Sequence, residues 1–154
     1  MNLKINMKPN ADFLPSKTDD WSTPSELYNY FMDHGYLDPC PLNSDIDGLS
    51  INYYNQKLYV NPPFSKLSTW VDWCIKQYLN DCTIVLLMPS RTDTKYFHKL
   101  LSYSPILYFF EGRLKFGNSD KSAPFPTLLV TLEPSIIKIH AYKYGSLKRY
   151  INRK

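Results

Sequence analysis

The tetrapeptide Asn61-Pro62-Pro63-Phe64, set directly after the apolar run Leu58-Tyr59-Val60, constrains the fold of this 154-residue chain more than any other stretch. Two adjacent prolines remove two backbone donors and fix φ twice, so the segment neither continues a central strand nor begins inside a helix. It is a strand end. The residue before a proline is held extended, which keeps Asn61 at the strand tip with its amide projecting beyond the sheet. Phe64 follows two stiff residues. The corner therefore offers one amide oxygen, proline carbonyls that no N–H of the same turn need satisfy, and an aromatic face. That set suits a planar group bearing an exocyclic NH2, with two acceptors for its two hydrogens and a ring to stack on. On spacing alone an Asn-Pro-Pro corner serves as readily as a plain loop, and the surrounding chain has to decide.

The first firm signal upstream is Thr23-Pro24-Ser25-Glu26, in which Thr23 caps, proline takes the first helical position and Glu26 completes a capping box. A helix is expected from Pro24 to about His34, burying Leu27, Tyr30 and Phe31 and stopping at Gly35. Tyr36-Leu37-Asp38-Pro39-Cys40-Pro41 then reads as a very short strand running into proline beside an acidic residue. The continuous apolar run Thr83 to Met88, followed by Pro89-Ser90-Arg91, reads as a strand buried on both faces. Between the last two strands lies an amphipathic helix, Leu67 to about Asn80, with Leu67, Trp70, Val71, Cys74, Ile75 and Tyr78 at helical spacing. Strand, helix and strand make a βαβ unit with parallel pairing. In a parallel sheet Asp38, Asn61 and Arg91 line one carboxyl-end crevice, where open α/β sheets bind ligands.

Further on, Asp93 to about Ser102 is read as a helix with Tyr96, Phe97, Leu100 and Leu101 inside, and Pro105 to Phe110 as a strand. Glu111 to Ala123 reads as a loop or hairpin tip carrying Arg113, Lys115 and Lys121. Phe125 to Leu132 and Ile136 to Tyr142 read as strands. The expected organisation is an arm over 1–18, one domain over 19–142 and a basic tail over 143–154. The tail, with Lys148, Arg149, Arg153 and Lys154, is either a solvated run or a phosphate contact.

Composition narrows the class. A hydrophobic fraction of 44% and an aromatic fraction of 16% are those of a globular chain, so a disordered protein is excluded. No stretch approaches the length of a membrane span and the amino terminus has no apolar signal core, so a cytoplasmic protein without a membrane partner is expected. Cys40, Cys74 and Cys82 form no C-x-x-C pair and are odd in number, which speaks against a disulfide framework. Three scattered histidines suggest no metal site. A net charge of +4 permits a nucleic-acid partner without demanding one.

The ordered set Asp20-Trp21-Ser22-Thr23-Pro24, Asp38-Pro39-Cys40-Pro41, Asp47-Gly48-Leu49, Asn61-Pro62-Pro63-Phe64, Arg91-Thr92-Asp93-Thr94 with Phe97-His98, Gly112-Arg113-Leu114 and Ala123-Pro124-Phe125-Pro126 resembles the phage-type DNA adenine methyltransferases, the Dam-like family of phages and prophages. The resemblance spans roughly Asp19 to Leu132. It implies an α/β, Rossmann-like methyltransferase fold, a compact single domain with a mostly parallel central sheet. It also implies S-adenosyl-L-methionine as methyl donor, DNA as partner with no obligate protein partner, and transfer to adenine N6 in a bacterial host cytoplasm, as in restriction-modification. Position by position, Asn61, Pro62, Pro63 and Phe64 would hold the target adenine. Trp21, Thr23 and Pro24 match the element near the donor's methionine part, Asp38 and Pro39 the end of the first strand facing its amino group, and Asp47 its adenosine half. Arg91, Asp93, Arg113 and Lys115 are candidates for the DNA side.

One departure from the pattern stands out. Cys40-Pro41 replaces a glycine-rich turn, and the nine residues Pro39 to Asp47 leave no room for a full helix and second strand. Two alternatives stay open: a methyltransferase acting on cytosine N4 or a glutamine amide, and a non-catalytic DNA-binding module.

Overall fold

A computed structural model describes residues 21–117 and 121–134. The expected arm over 1–18, the strand at 136–142 and the basic tail lie outside the described residues, as does Asp20. The elements in order are helix α1 (Ser25–Asp33), strand β1 (Lys57–Val60), helix α2 (Leu67–Leu79), strand β2 (Thr83–Pro89), helix α3 (Lys95–Leu101), strand β3 (Ile106–Phe109) and strand β4 (Thr127–Leu132). Short 3-10 turns occupy Gly48–Ser50 and Phe64–Lys66.

The four strands form one sheet in the order β1-β2-β4-β3. β1 and β2 pair in parallel with Val60 opposite Leu86, and α2 makes the connection, as the βαβ pattern requires. β4 pairs antiparallel with both β2 and β3. A mostly parallel sheet therefore does not form among the described strands, where one pair is parallel and two are antiparallel. The reason lies in the connection from β3 to β4. It contains no helix among its described residues, and a parallel return needs a crossover that covers the sheet. Leu37 adds a single parallel bridge to Leu58, with its N–H on Lys57 O and its carbonyl taken by Tyr59 N–H, and that is all of the short strand expected at 36–38.

Strand alternation sends side chains to two faces. Leu58, Val60, Ile84, Leu86, Met88, Leu128, Val130 and Leu132 face α2 and α3, packing on Leu67, Trp70, Val71, Cys74, Phe97 and Leu100. Tyr59, Val85, Leu87 and Leu129 face the other way, onto Phe31 of α1, Phe116 and Ala123, with Trp21, Phe64 and Phe125 partly buried around them.

Two local expectations at α1 need correction. Tyr30 is 56% exposed and not part of the buried face. Phe31 takes the core position by stacking on Tyr59 at 4.6 Å, while the Tyr30 ring lies over His34 one turn on, at 4.3 Å. The capping box does not form either, since Pro24 occupies the cap position and no side chain bonds to the first turn. The Thr23 hydroxyl is engaged elsewhere. Gly35 does end the helix, in the left-handed conformation at φ +77. The three cysteines are free, and among the described residues no helix is long and apolar enough to cross a membrane.

Candidate active site

The register collects the chemistry on one edge. Leu37 sits beside Leu58, Val60 beside Leu86, Pro89 beside Thr127, and Phe109 beside Leu128. β1, β2 and β3 thus end on the edge where β4 begins, and Asp38, Asn61, Ser90-Arg91 and Phe125-Pro126 follow or precede those ends. A Ser90 N–H bond to the Pro126 carbonyl at 2.8 Å ties the edge together.

Asn61 is the centre of this edge. Its Nδ2 donates to the Trp21 carbonyl at 2.5 Å and to Thr23 Oγ1 at 3.0 Å. A carbonyl only accepts, so the nitrogen must face Trp21 and the oxygen must face away. Both amide hydrogens are then used, and Asn61 Oδ1 is buried with no partner among the described residues. Leaving a buried acceptor unmet costs about 1–3 kcal/mol, a sum that a fold tolerates where a ligand completes the bond. Of the two proline carbonyls, Pro63's accepts Lys66 N–H at 2.9 Å, contrary to the expectation that both stay free. Within the described backbone no N–H is directed to Pro62's.

Around Phe64 the chain builds a packed aromatic cluster. Trp21 lies nearly parallel to Phe64, with centroids 6.3 Å apart and planes 16° from each other. Phe116 and Phe125 set their edges against both rings, at 5.3 and 5.1 Å from Trp21 and at 6.1 and 5.6 Å from Phe64. Such T-shaped contacts fix ring orientation, so Phe64 is a held surface and not a swinging side chain. The loop after β3 is drawn in by Gly117 N–H donating to the Ser22 carbonyl at 2.7 Å.

Asp38 forms the second half of the edge. One carboxylate oxygen accepts Cys40 N–H at 2.8 Å, yet burial still pushes the carboxyl above its usual range. Among the described residues no cation pairs with it. Its charge is felt at Tyr28, Tyr53 and Tyr59, and burial together with that charge raises the Cys40 thiol to about 11. Asp47 is brought alongside by Gly48, whose backbone approaches the Asp38-Pro39 turn so closely that a Cβ there would lie 1.8 Å from the Pro39 carbonyl oxygen. The Asp47 carboxylate caps the 3-10 turn through Leu49 N–H at 3.3 Å. Between Leu37 and β1 this turn is the only helix, so the segment is as short as its residue count implied.

The DNA-side candidates are not drawn into this network. Arg91 and Asp93 lie exposed in the turn before α3, where the Arg91 carbonyl accepts the Thr94 hydroxyl at 2.8 Å. Arg113 bonds to the Ala123 carbonyl at 3.4 Å, and Lys115 is exposed. Trp21 and Thr23, assigned from the resemblance to the donor side, sit directly on Asn61 and Phe64, whereas Pro24 begins α1. Sequence reasoning missed Phe116 and gave Tyr59, Gly48 and Phe125 no role. Tyr59 carried a usable signal, because a tyrosine inside a buried strand two residues before Asn61 needs a partner for its hydroxyl.

A family model described as DNA N-6-adenine-methyltransferase (Dam) matches residues 11–127, three quarters of the chain and all of the edge just described. The chain belongs to the Dam family. No curated protein and no solved structure matches it significantly. Dam membership brings DNA adenine N6 methylation as the family-level activity, and the matched span contains Thr23, Asp38, Asn61 to Phe64, Arg91, Arg113 and Phe125.

Proposed function

We propose that this Dam-family chain transfers a methyl group from S-adenosyl-L-methionine to the N6 amine of adenine in DNA, as a phage-type modification enzyme acting in the host cytoplasm. The observation that carries the reading is the buried Asn61 Oδ1 at the strand edge, which has no partner among the described residues. A base amine brings the N–H that this oxygen lacks, and the Pro62 carbonyl accepts the second. Two acceptors on the two hydrogens favour a pyramidal nitrogen with its lone pair released from the ring. The bonds strengthen as positive charge develops on that nitrogen, the kind of interaction that speeds chemistry and not merely binding.

When bound, the donor supplies an electrophilic sulfonium methyl carbon. Asp38 fits its cationic amino group, because a partly buried carboxylate without a cation is what such a group would neutralise. Asp47 and Pro39 are assigned to the same side with Pro24 at the entry to α1, and the direction shared by β1, β2 and β3 favours a Rossmann-like donor site despite the short segment after Asp38. The chain's own part is to orient and desolvate, and no strong general base is needed.

A base inside a duplex cannot reach this edge, so the adenine must leave the stack at a cost of a few kcal/mol. Stacking on Phe64 offsets about 1–3 kcal/mol of that. Arg91, Asp93, Arg113 and Lys115 are the candidates for contact with the DNA backbone or flanking bases. The test is transfer from labelled S-adenosylmethionine to unmodified DNA, followed by nucleoside mass spectrometry. N6-methyladenine is the expected product. N4-methylcytosine would move the acceptor to a different base, and no product with no donor binding in calorimetry would leave a DNA-binding module.

A further inference from the structure

Asn61 works only in one of two orientations, and its own torsion does not choose between them. The terminal torsion of an asparagine is broad and roughly two-fold, so a half-turn that exchanges Oδ1 and Nδ2 must be blocked by partners. After such a turn a donor would face the incoming amine, and Oδ1 would face the Trp21 carbonyl. Trp21 opposes the turn on one side. On the other side stands Thr23, whose hydroxyl can donate as well as accept and therefore does not choose by itself.

Tyr59 removes that ambiguity. Its side chain is fully buried, its ring is stacked on Phe31 at 4.6 Å and meets Tyr28 edge-on at 6.4 Å, and its hydroxyl lies 3.0 Å from Thr23 Oγ1. With Thr23 donating to the Tyr59 oxygen, its one proton is committed and its lone pairs are left for Asn61 Nδ2. Without the Tyr59 oxygen, the Thr23 proton finds an acceptor in this network only by turning to Asn61, where it favours the inverted amide. We infer that Tyr59 is a positioning residue that acts through the Thr23 hydroxyl to keep Asn61 Oδ1 facing the crevice. Burial raises the Tyr59 hydroxyl far above its ordinary value, so the hydroxyl pair keeps its protons throughout the working pH range.

The inference rests on the reading of Asn61 Oδ1 as the acceptor for the target amine, and its test has one readout that does not depend on activity. Tyr59→Phe keeps the ring and removes the oxygen, Thr23→Val removes the hydroxyl at nearly the same volume, and Thr23→Ser keeps it. Tyr59→Phe and Thr23→Val are expected to lower kcat about tenfold with little change in KM for donor or DNA, while Thr23→Ser recovers most of the Thr23→Val loss. In 15N spectra, the Asn61 side-chain amide, assigned by its disappearance in Asn61→Ala, should shift and exchange faster in Tyr59→Phe and Thr23→Val than in Thr23→Ser. Unmoved amide resonances, or equal losses for Thr23→Val and Thr23→Ser, overturn the positioning role even if the wild type methylates adenine. A wild type that makes no methyladenine overturns the proposed reaction instead, and the amide spectra still decide the role of Tyr59.

Discussion

The two faces of the sheet are built to different standards. Against α2 and α3 the contacts are mainly aliphatic, and Leu58, Val60, Ile84, Leu86 and Met88 are essentially inaccessible. Among the described residues the opposite face is covered by one short helix and by loop segments, and its packing is largely aromatic, with Phe31 stacked on Tyr59 and with Trp21, Phe64, Phe116 and Phe125 in mutual ring contact. The edge of that second face keeps an amide oxygen without a partner among the described residues and a carboxyl held above its usual range. One face supplies the stability that lets the other retain groups that a well-satisfied core would remove.

The sharpest way to break this division is a cavity on the helix side. Leu86→Ala should cost about 4 kcal/mol in urea unfolding while leaving the turnover of the folded fraction unchanged. A loss of turnover per folded molecule would mean that the two faces are not separable. Gly48→Ala tests the site edge instead, at the turn that packs against Trp70 of α2. A Cβ 1.8 Å from the Pro39 carbonyl cannot be absorbed by a side-chain movement, so the backbone must shift. The expected cost is about 3 kcal/mol, accompanied by weaker donor binding in calorimetry because Asp38 and Asp47 separate. Phe64→Ala should remove about 2 kcal/mol from kcat/KM for DNA while donor affinity stays within about twofold. Equal loss of both would place Phe64 on the donor and not on the base.

The smallest effect has the opposite sign. Because burial raises the Asp38 carboxyl, the folded state holds its proton more tightly than the unfolded state. Stability therefore falls as pH rises from the ordinary carboxylate value through the raised one, and the penalty is complete above it. Asp38→Asn should slightly raise the melting temperature at pH 7, lose that advantage once the pH drops below the carboxylate range, and weaken donor binding. A variant less stable than wild type at pH 7 would show that the carboxylate has a cationic partner.

Much of this arrangement was legible in the chain itself. Pro24, Gly35, the Asn61-Pro62-Pro63 corner and the apolar spacing of α2 mark their elements within a residue or two, because prolines and helical periodicity act locally. The direction of β4 was harder. Whether an apolar run such as Leu128 to Leu132 lies parallel or antiparallel depends on its connection, and the helix-free stretch before it was the available clue. The partners of Thr23 were illegible for a different reason. A threonine before Pro24-Ser25-Glu26 satisfies a capping rule, and only the tertiary approach of β1 to that turn offers its hydroxyl two better partners. Phe116 and Phe125 likewise acquire meaning only when the loop from β3 folds back over Trp21.

The measurement closest to the central claim compares wild type and Asn61→Ala in single turnover, with donor and unmodified DNA both saturating. If Asn61 Oδ1 accepts a hydrogen of the target amine as charge develops, Asn61→Ala should slow methyl transfer by at least about a hundredfold, with folding and donor affinity preserved. A folded, donor-binding Asn61→Ala that forms N6-methyladenine at the wild-type rate would contradict the account.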